Sequence, residues 1–140
     1  MLALAVPSNA PVVLQSIIEL TNHLRQENQA PPLAESPSLD TAAQLHSRDM
    51  AAANDMAHTL PGASLPTLTD RAAAVHYAYA ILGENIAYNQ ADAASVVASW
   101  MSSPPHRENM LNSSFTDIGV GLAWNERGEP YYTMVLGRPA

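Results

Sequence analysis

The sequence predicts an α+β domain in which several helices cover a small antiparallel sheet. Two observations carry this expectation. Apolar residues recur at helical spacing through most of the chain, and in the last quarter they switch to strict alternation. Helices followed by strands, rather than alternating with them, argue for α+β over a parallel α/β sheet. A third observation sets the size: 140 residues with a 47% hydrophobic fraction suit one domain with its own core.

The first helix is read from Val13, Leu14, Ile17, Ile18, Thr21 and Leu24, which share one face. Pro11 fits near its start, and the helix should end near Asn28, ahead of Pro31-Pro32. A second helix should begin at Pro37-Ser38 with Ser38 as cap, carry Leu39, Ala42, Ala43, His46, Met50 and Ala53 on one face, and fade at Asn54-Asp55. A connection rich in Pro, Thr and Ser follows, and Asp70 to Ala74 opens a short third helix. Ile86-Ala87-Tyr88 reads as a turn or a brief extended piece. Asp92 to Met101 is helical, with Ala93, Val96, Val97 and Trp100 on one side, and Ser103-Pro104-Pro105 starts another short helix.

In the final segment Ile118, Val120, Leu122 and Trp124 alternate with Gly119, Gly121 and Ala123. That pattern predicts a strand with one bulky face and one bare face, the bare face admitting the close approach of a helix. Asn125 to Glu129 is a hairpin loop with Gly128 free to take positive φ, and Tyr131 to Leu136 is the return strand.

Charge and composition exclude several classes. Six basic side chains face thirteen acidic ones, a net charge of −7, which repels phosphate backbones and anionic membrane faces. The absence of cysteine removes disulfide scaffolds and thiolate metal sites. No run of about 20 apolar residues suits a membrane-spanning helix. Residues 1–11 are read as an N-terminal arm or the remnant of an export signal, and 12–140 as the domain.

Three residues stand out for their chemistry: His58, Glu84 and His106. Each lies in a distinctive string: Met56-Ala57-His58-Thr59, Gly83-Glu84-Asn85-Ile86-Ala87, and Ser103-Pro104-Pro105-His106-Arg107-Glu108-Asn109-Met110-Leu111. Two imidazoles and a carboxylate bind a divalent cation or move a proton, leaving an open position on a tetrahedral zinc. They stand 26 and 22 positions apart, so spacing alone gathers nothing, and no H-E-x-x-H helix motif is present.

The strings in this order resemble the CAP superfamily (cysteine-rich secretory proteins, antigen 5, pathogenesis-related 1) in a cysteine-free bacterial form. The resemblance runs from about Ile17 to Gly137. It rests on His58, on Gly83 to Ala87, on Trp100 to Leu111, and on Phe115-Thr116-Asp117-Ile118-Gly119-Val120-Gly121. It implies a three-layer α-β-α sandwich, an extracytoplasmic or secreted location, and a cleft lined by two histidines and acidic groups that holds zinc or another divalent cation in some members. His58, Glu84 and His106 match that constellation as metal ligands. Many members carry a second glutamate three residues after the tryptophan of the middle motif; Ser103 stands there in this chain. The family has no single activity: lipid binding, signalling or toxin roles and occasional proteolysis are all described.

Each site residue also has a structural explanation. His106 falls in the first turn of a helix, whose dipole disfavours imidazolium and so favours the neutral ring that a metal or general base needs; otherwise it satisfies local backbone. His58 alone would be a surface loop residue. Glu84 is expected in a Gly-bearing turn, its carboxylate held by backbone N–H groups, with Asn85 bonding backbone beside it. His46 fits a satisfied core or border position. His23 and His76 have no supporting context. Arg107 suits a pairing with an acidic neighbour. The aromatics Trp100, Trp124, Tyr131 and Tyr132 suit core or hairpin packing, and the serines lack a G-x-S-x-G elbow. Three functions follow from this reading. The first is a cation-binding interaction module without strong catalysis. The second is a metal-assisted hydrolase with Glu84 as candidate catalytic base. The third is a module for a lipid, wall component or other small molecule.

Overall fold

The computed structural model describes residues 10–140. Among the described residues, five helices and four strands follow one another as α1 (Ala10–Glu27), β1 (Ala34–Glu35), α2 (Pro37–Ala53), α3 (Leu68–Ala74), β2 (Tyr79–Tyr88), α4 (Ala93–Met101), α5 (Pro104–Leu111), β3 (Asp117–Trp124) and β4 (Pro130–Pro139). The strands form one sheet in the order β1-β3-β4-β2. β1 runs parallel to β3, while β3–β4 and β4–β2 are antiparallel. The three-layer sandwich expected from the resemblance is present. α1, α4 and α5 pack one face of the sheet through Ile17, Val96, Trp100 and Met110, against Ile118, Val120, Leu122 and Met134. α2 covers the other face, with Leu39 and Ala43 on Val135 and Met50 beside Ile86.

Glycine sets the thickness of the second interface. A Cβ placed on Gly119 would lie 2.1 Å from the Leu39 carbonyl carbon, and one on Gly121 would lie 2.4 Å from that of Ala43. The bare face of β3 therefore receives the backbone of α2 itself, as its alternation predicts. Two polar side chains of α2 then continue the sheet beyond short β1. Asp40 Oδ1 accepts from the Val120 N–H at 3.0 Å. Gln44 accepts from the Leu122 N–H at 3.0 Å and donates to its carbonyl at 2.9 Å. Burial and the neighbouring Glu35 raise the Asp40 pKa to about 7.

Several boundaries differ from the sequence expectations. α2 is capped by Ser36, whose hydroxyl accepts from the Leu39 N–H, so Pro37 is the first helical residue and Ser38 the second. Proline suits that first position because its missing N–H costs nothing there. α3 starts earlier, at Leu68, behind a reciprocal capping box of Thr67 and Asp70. The largest difference is β2. Ile86 to Tyr88 is the end of a ten-residue strand paired with β4 without a break from Ile81 to Tyr88, and Glu84 sits within it, not in a turn. Local pattern hides this strand because its first half is more exposed than its second. The first helix begins at Ala10, inside the segment expected as an arm, and the rest of that arm lies outside the described residues. Among the described residues no helix is long and apolar enough to cross a membrane.

One buried side chain ties the first layer together. Arg25 of α1 donates to the carbonyls of Pro31, Met110, Asn112 and Phe115 at 2.8–3.2 Å. It thereby holds the C-terminal end of α5, a helix with a weakly apolar face of its own.

Replacing Gly121 by alanine should force α2 off the sheet, since the obstructing atoms are backbone. The expected loss is about 3 kcal/mol, at the upper end of the cost of overpacking. Denaturant unfolding of Gly121→Ala against the parent, with Gly62→Ala as the unobstructed control, checks this.

Candidate functional site

Three separate segments supply the site: the loop after α2, strand β2, and the first turn of α5. Glu84 projects from β2 and its side chain is 3% exposed. A carboxylate so buried needs partners for both oxygens. Oε1 lies 2.9 Å from His58 Nδ1, and Oε2 accepts from Arg71 Nη2 at 2.9 Å. A carboxylate only accepts, so His58 Nδ1 carries the proton and donates. The ring that results keeps Nε2 as its acceptor nitrogen, on a side chain that is 56% exposed.

A second histidine lies beneath. His46 is fully buried on α2, Nε2 at 2.8 Å from the Ala57 carbonyl and 3.8 Å from Glu84 Oε1. The core position is as expected, but the ring is only half satisfied there: Nδ1 is buried without a partner.

His106 is the third residue of α5. Amide side chains staple this helix to β2: Asn85 donates to the His106 carbonyl at 3.0 Å, and Asn109 donates to Asn85 Oδ1 at 3.0 Å and to the Glu84 carbonyl at 3.3 Å. Asn85 is structural, as expected, but it acts from strand to helix. The His106 ring has Nδ1 sealed from solvent without a partner. Ser103, at the position of the second family glutamate, is the N-cap residue of α5 and makes no side-chain capping bond. Arg107 donates to Asn28 Oδ1 at 3.5 Å, not to an acidic residue. Trp100 packs in the core, donating to the Ile86 carbonyl at 2.9 Å.

The protonation behaviour follows from these surroundings. The hydrogen bond to Glu84 raises the pKa of His58 above the usual imidazole value. Burial, then the nearby charge of His58, lowers that of His106. The helix position predicts that direction for His106, but burial is the leading cause. Burial also lowers His46. The site thus holds one ring that favours the proton and two that resist it. Among the described residues, no three or more Cys, His, Asp or Glu side chains are grouped so as to hold an ion together.

Arg71 is the site residue that the sequence hides. Its only local signal is membership of a short helix after Asp70. Yet the guanidinium is fully buried, pairs with Glu84, and approaches the carbonyls of Leu65, Pro66 and His58 at 3.3–3.4 Å.

Fold, site strings and comparisons agree on the class. Residues 18–136 match the cysteine-rich secretory protein family, CAP, and the chain belongs to it. The chain is 35% identical to YkwD of Bacillus subtilis (strain 168) over 132 residues, covering 94% of this chain and 50% of that protein. An extracellular protein containing an SCP domain from Bacillus anthracis str. Ames superposes with a TM-score of 0.85 at 31% identity, covering 98% of this chain and 45% of that one. NaASP2, solved with Zn2+, shares the fold at a TM-score of 0.62 and 14% identity, covering 96% of this chain and 88% of that one. The chain therefore spans about half the length of these two Bacillus proteins.

NMR titration should place His58 above the ordinary imidazole pKa and His106 and His46 below it. Stability carries the same signs. The His58 contribution is complete below the unfolded pKa of 6.5 and disappears as pH rises through the folded value. The buried rings act oppositely: their contribution is complete above 6.5 and is lost as pH falls through their folded values. The stability difference between parent and His58→Asn should therefore shrink as pH is raised from 6.5, measured by urea unfolding at fixed salt.

Proposed function

We propose that this chain is an extracytoplasmic CAP domain that takes a divalent cation, zinc by preference, on His58 and His106. It uses the surface around them to bind a small molecule, lipid or wall component rather than to turn a substrate over. The observation that carries the reading is the state of the two rings. His58 is fixed through Nδ1 by a buried carboxylate, leaving Nε2 as the acceptor of a half-exposed ring, and His106 has a buried nitrogen that nothing satisfies. An imidazole whose other nitrogen is bonded to a carboxylate is the usual arrangement of a metal-ligating histidine.

The residues fit such a cation in a particular way. Imidazole suits zinc, and the chain supplies no thiolate to compete for a softer metal. Glu84 orients His58 rather than ligating, because both its oxygens are engaged. Ser103 adds no carboxylate, so two protein nitrogens are the donors and the affinity should be modest. When bound, the ion supplies a Lewis-acid point for an oxygen-bearing ligand. His58 and His106 bind it, Glu84 holds the first ring in one tautomer, and Asn85 holds the turn that carries the second. NaASP2, described with Zn2+, supports the choice of metal. The Bacillus anthracis relative, described as extracellular, supports the location.

The hydrolase reading, with Glu84 as general base, requires a carboxylate oxygen free to reach a water. Here Oε1 is bonded to His58 and Oε2 to Arg71, which favours binding over turnover.

Calorimetric titration with zinc tests the proposal. The parent should bind, His58→Ala/His106→Ala should not, and Glu84→Gln should bind about 10–100-fold more weakly, as loss of an orienting partner does. Equal binding by the parent and the double variant would remove the site.

A further inference from the structure

We infer that Arg71 is the positioning residue of this site: one buried guanidinium fixes both the acid that orients His58 and the main chain from which His58 projects. The inference deepens the cation-site reading, but its central measurement needs no metal.

The guanidinium has donors in a rigid planar fork, and here they reach in two directions. Nη2 donates to Glu84 Oε2 at 2.9 Å and lies 3.4 Å from the His58 carbonyl. Nη1 reaches the Leu65 and Pro66 carbonyls at 3.3 and 3.4 Å. The loop between α2 and α3, which carries His58, is thus tied to the side chain that pairs with the acid of β2. Engaging Oε2 also decides which oxygen is left for His58. With Oε2 held, Oε1 faces the ring at 2.9 Å. Without Arg71, a carboxylate with a 3% exposed side chain would keep two imidazoles as its nearby partners, at 2.9 and 3.8 Å. It is then free to turn toward His46, and that change releases His58 Nδ1.

Helix α3 has the geometry to deliver this side chain. The Thr67–Asp70 capping box fixes its first turn, and Arg71 is the next residue after Asp70. Ala72 beside it is buried, so the helix enters the core at that point. A lysine could supply the charge, but its single ammonium cannot span the acid and the loop carbonyls in the same plane.

The test reads the tautomer of His58 by 15N NMR of the metal-free protein, above the pH at which the ring loses its charge. In the parent the proton should reside on Nδ1. In Arg71→Gln a substantial share should move to Nε2, and in Arg71→Lys an intermediate share. Arg127→Gln, which removes an exposed arginine of the β3–β4 loop, should retain the parent tautomer. Zinc affinity should fall in the same order, by about 10–100-fold for Arg71→Gln. An unchanged Nδ1–H tautomer in folded Arg71→Gln would overturn the inference. If Arg71→Gln does not fold, Arg71→Lys decides alone: a shifted tautomer supports the inference, and the parent tautomer overturns it. Failure of the parent to bind zinc would remove the metal proposal while leaving the tautomer result to judge Arg71.

Discussion

The carboxylate of Glu84 is placed where a charge cannot rest alone. Taking an ionised group out of water costs several kcal/mol even after relaxation, and partners must offset it. Glu84 meets that demand with Arg71 on one oxygen and His58 on the other. Much of the surrounding architecture is a consequence. Arg71 must arrive from a short helix with a fixed first turn, so α3 has a full capping box despite its seven residues. His58 must reach inward by one nitrogen while remaining largely exposed by the other, so the loop after α2 is bound down through its carbonyls. The chemical character of the site then follows from the same pairing, because an imidazole committed at Nδ1 has only Nε2 to offer.

The second constraint is geometric. β3 alternates large residues with glycine, and the glycine side lets α2 approach until backbone meets backbone. This closeness places His46 directly under Glu84 and lets Asp40 and Gln44 reach the main chain of β3. The other helical layer is held differently. α5 is short and weakly amphipathic, so polar ties supplement the burial of Met110: Arg25 holds its far end, and Asn85 and Asn109 hold the turn that carries His106. α2 thus seats on β3 and β4 by close packing, while hydrogen bonds fasten α5 to β2.

How much of this is legible in the chain depends on whether the signal is local. The period of α1, α2 and α4 is written in Ile17, Leu39 and Val96 and their neighbours, because each helix buries a face of its own sequence. The alternation of Ile118 to Trp124 reveals β3 and even its bare side. β2 is not legible in this way, since its exposed half breaks the pattern, and β1 is two residues long. The site divides along the same line. His58, Glu84 and His106 are visible through their strings, but the direct bond between His58 and Glu84 belongs to the tertiary fold. Arg71 is invisible because a buried arginine and a surface arginine have the same local context; only the distant partner distinguishes them. The cap at Ser36 rather than Ser38 has a smaller cause, since either serine beside Pro37 satisfies the same local rule.

The two margins of the sheet share one device. On β3 the outward main-chain groups are met by Asp40 and Gln44, and on β2 the carbonyls of Glu84 and Ile86 are met by Asn109 and Trp100. An open margin is a template on which a foreign extended chain can register itself, and natural sheets close it in various ways. Here amide, carboxyl and indole groups from three helices occupy the sites a visiting strand would use. Recognition by main-chain pairing is thereby denied to this fold at those positions, and a partner must read loops and side chains instead.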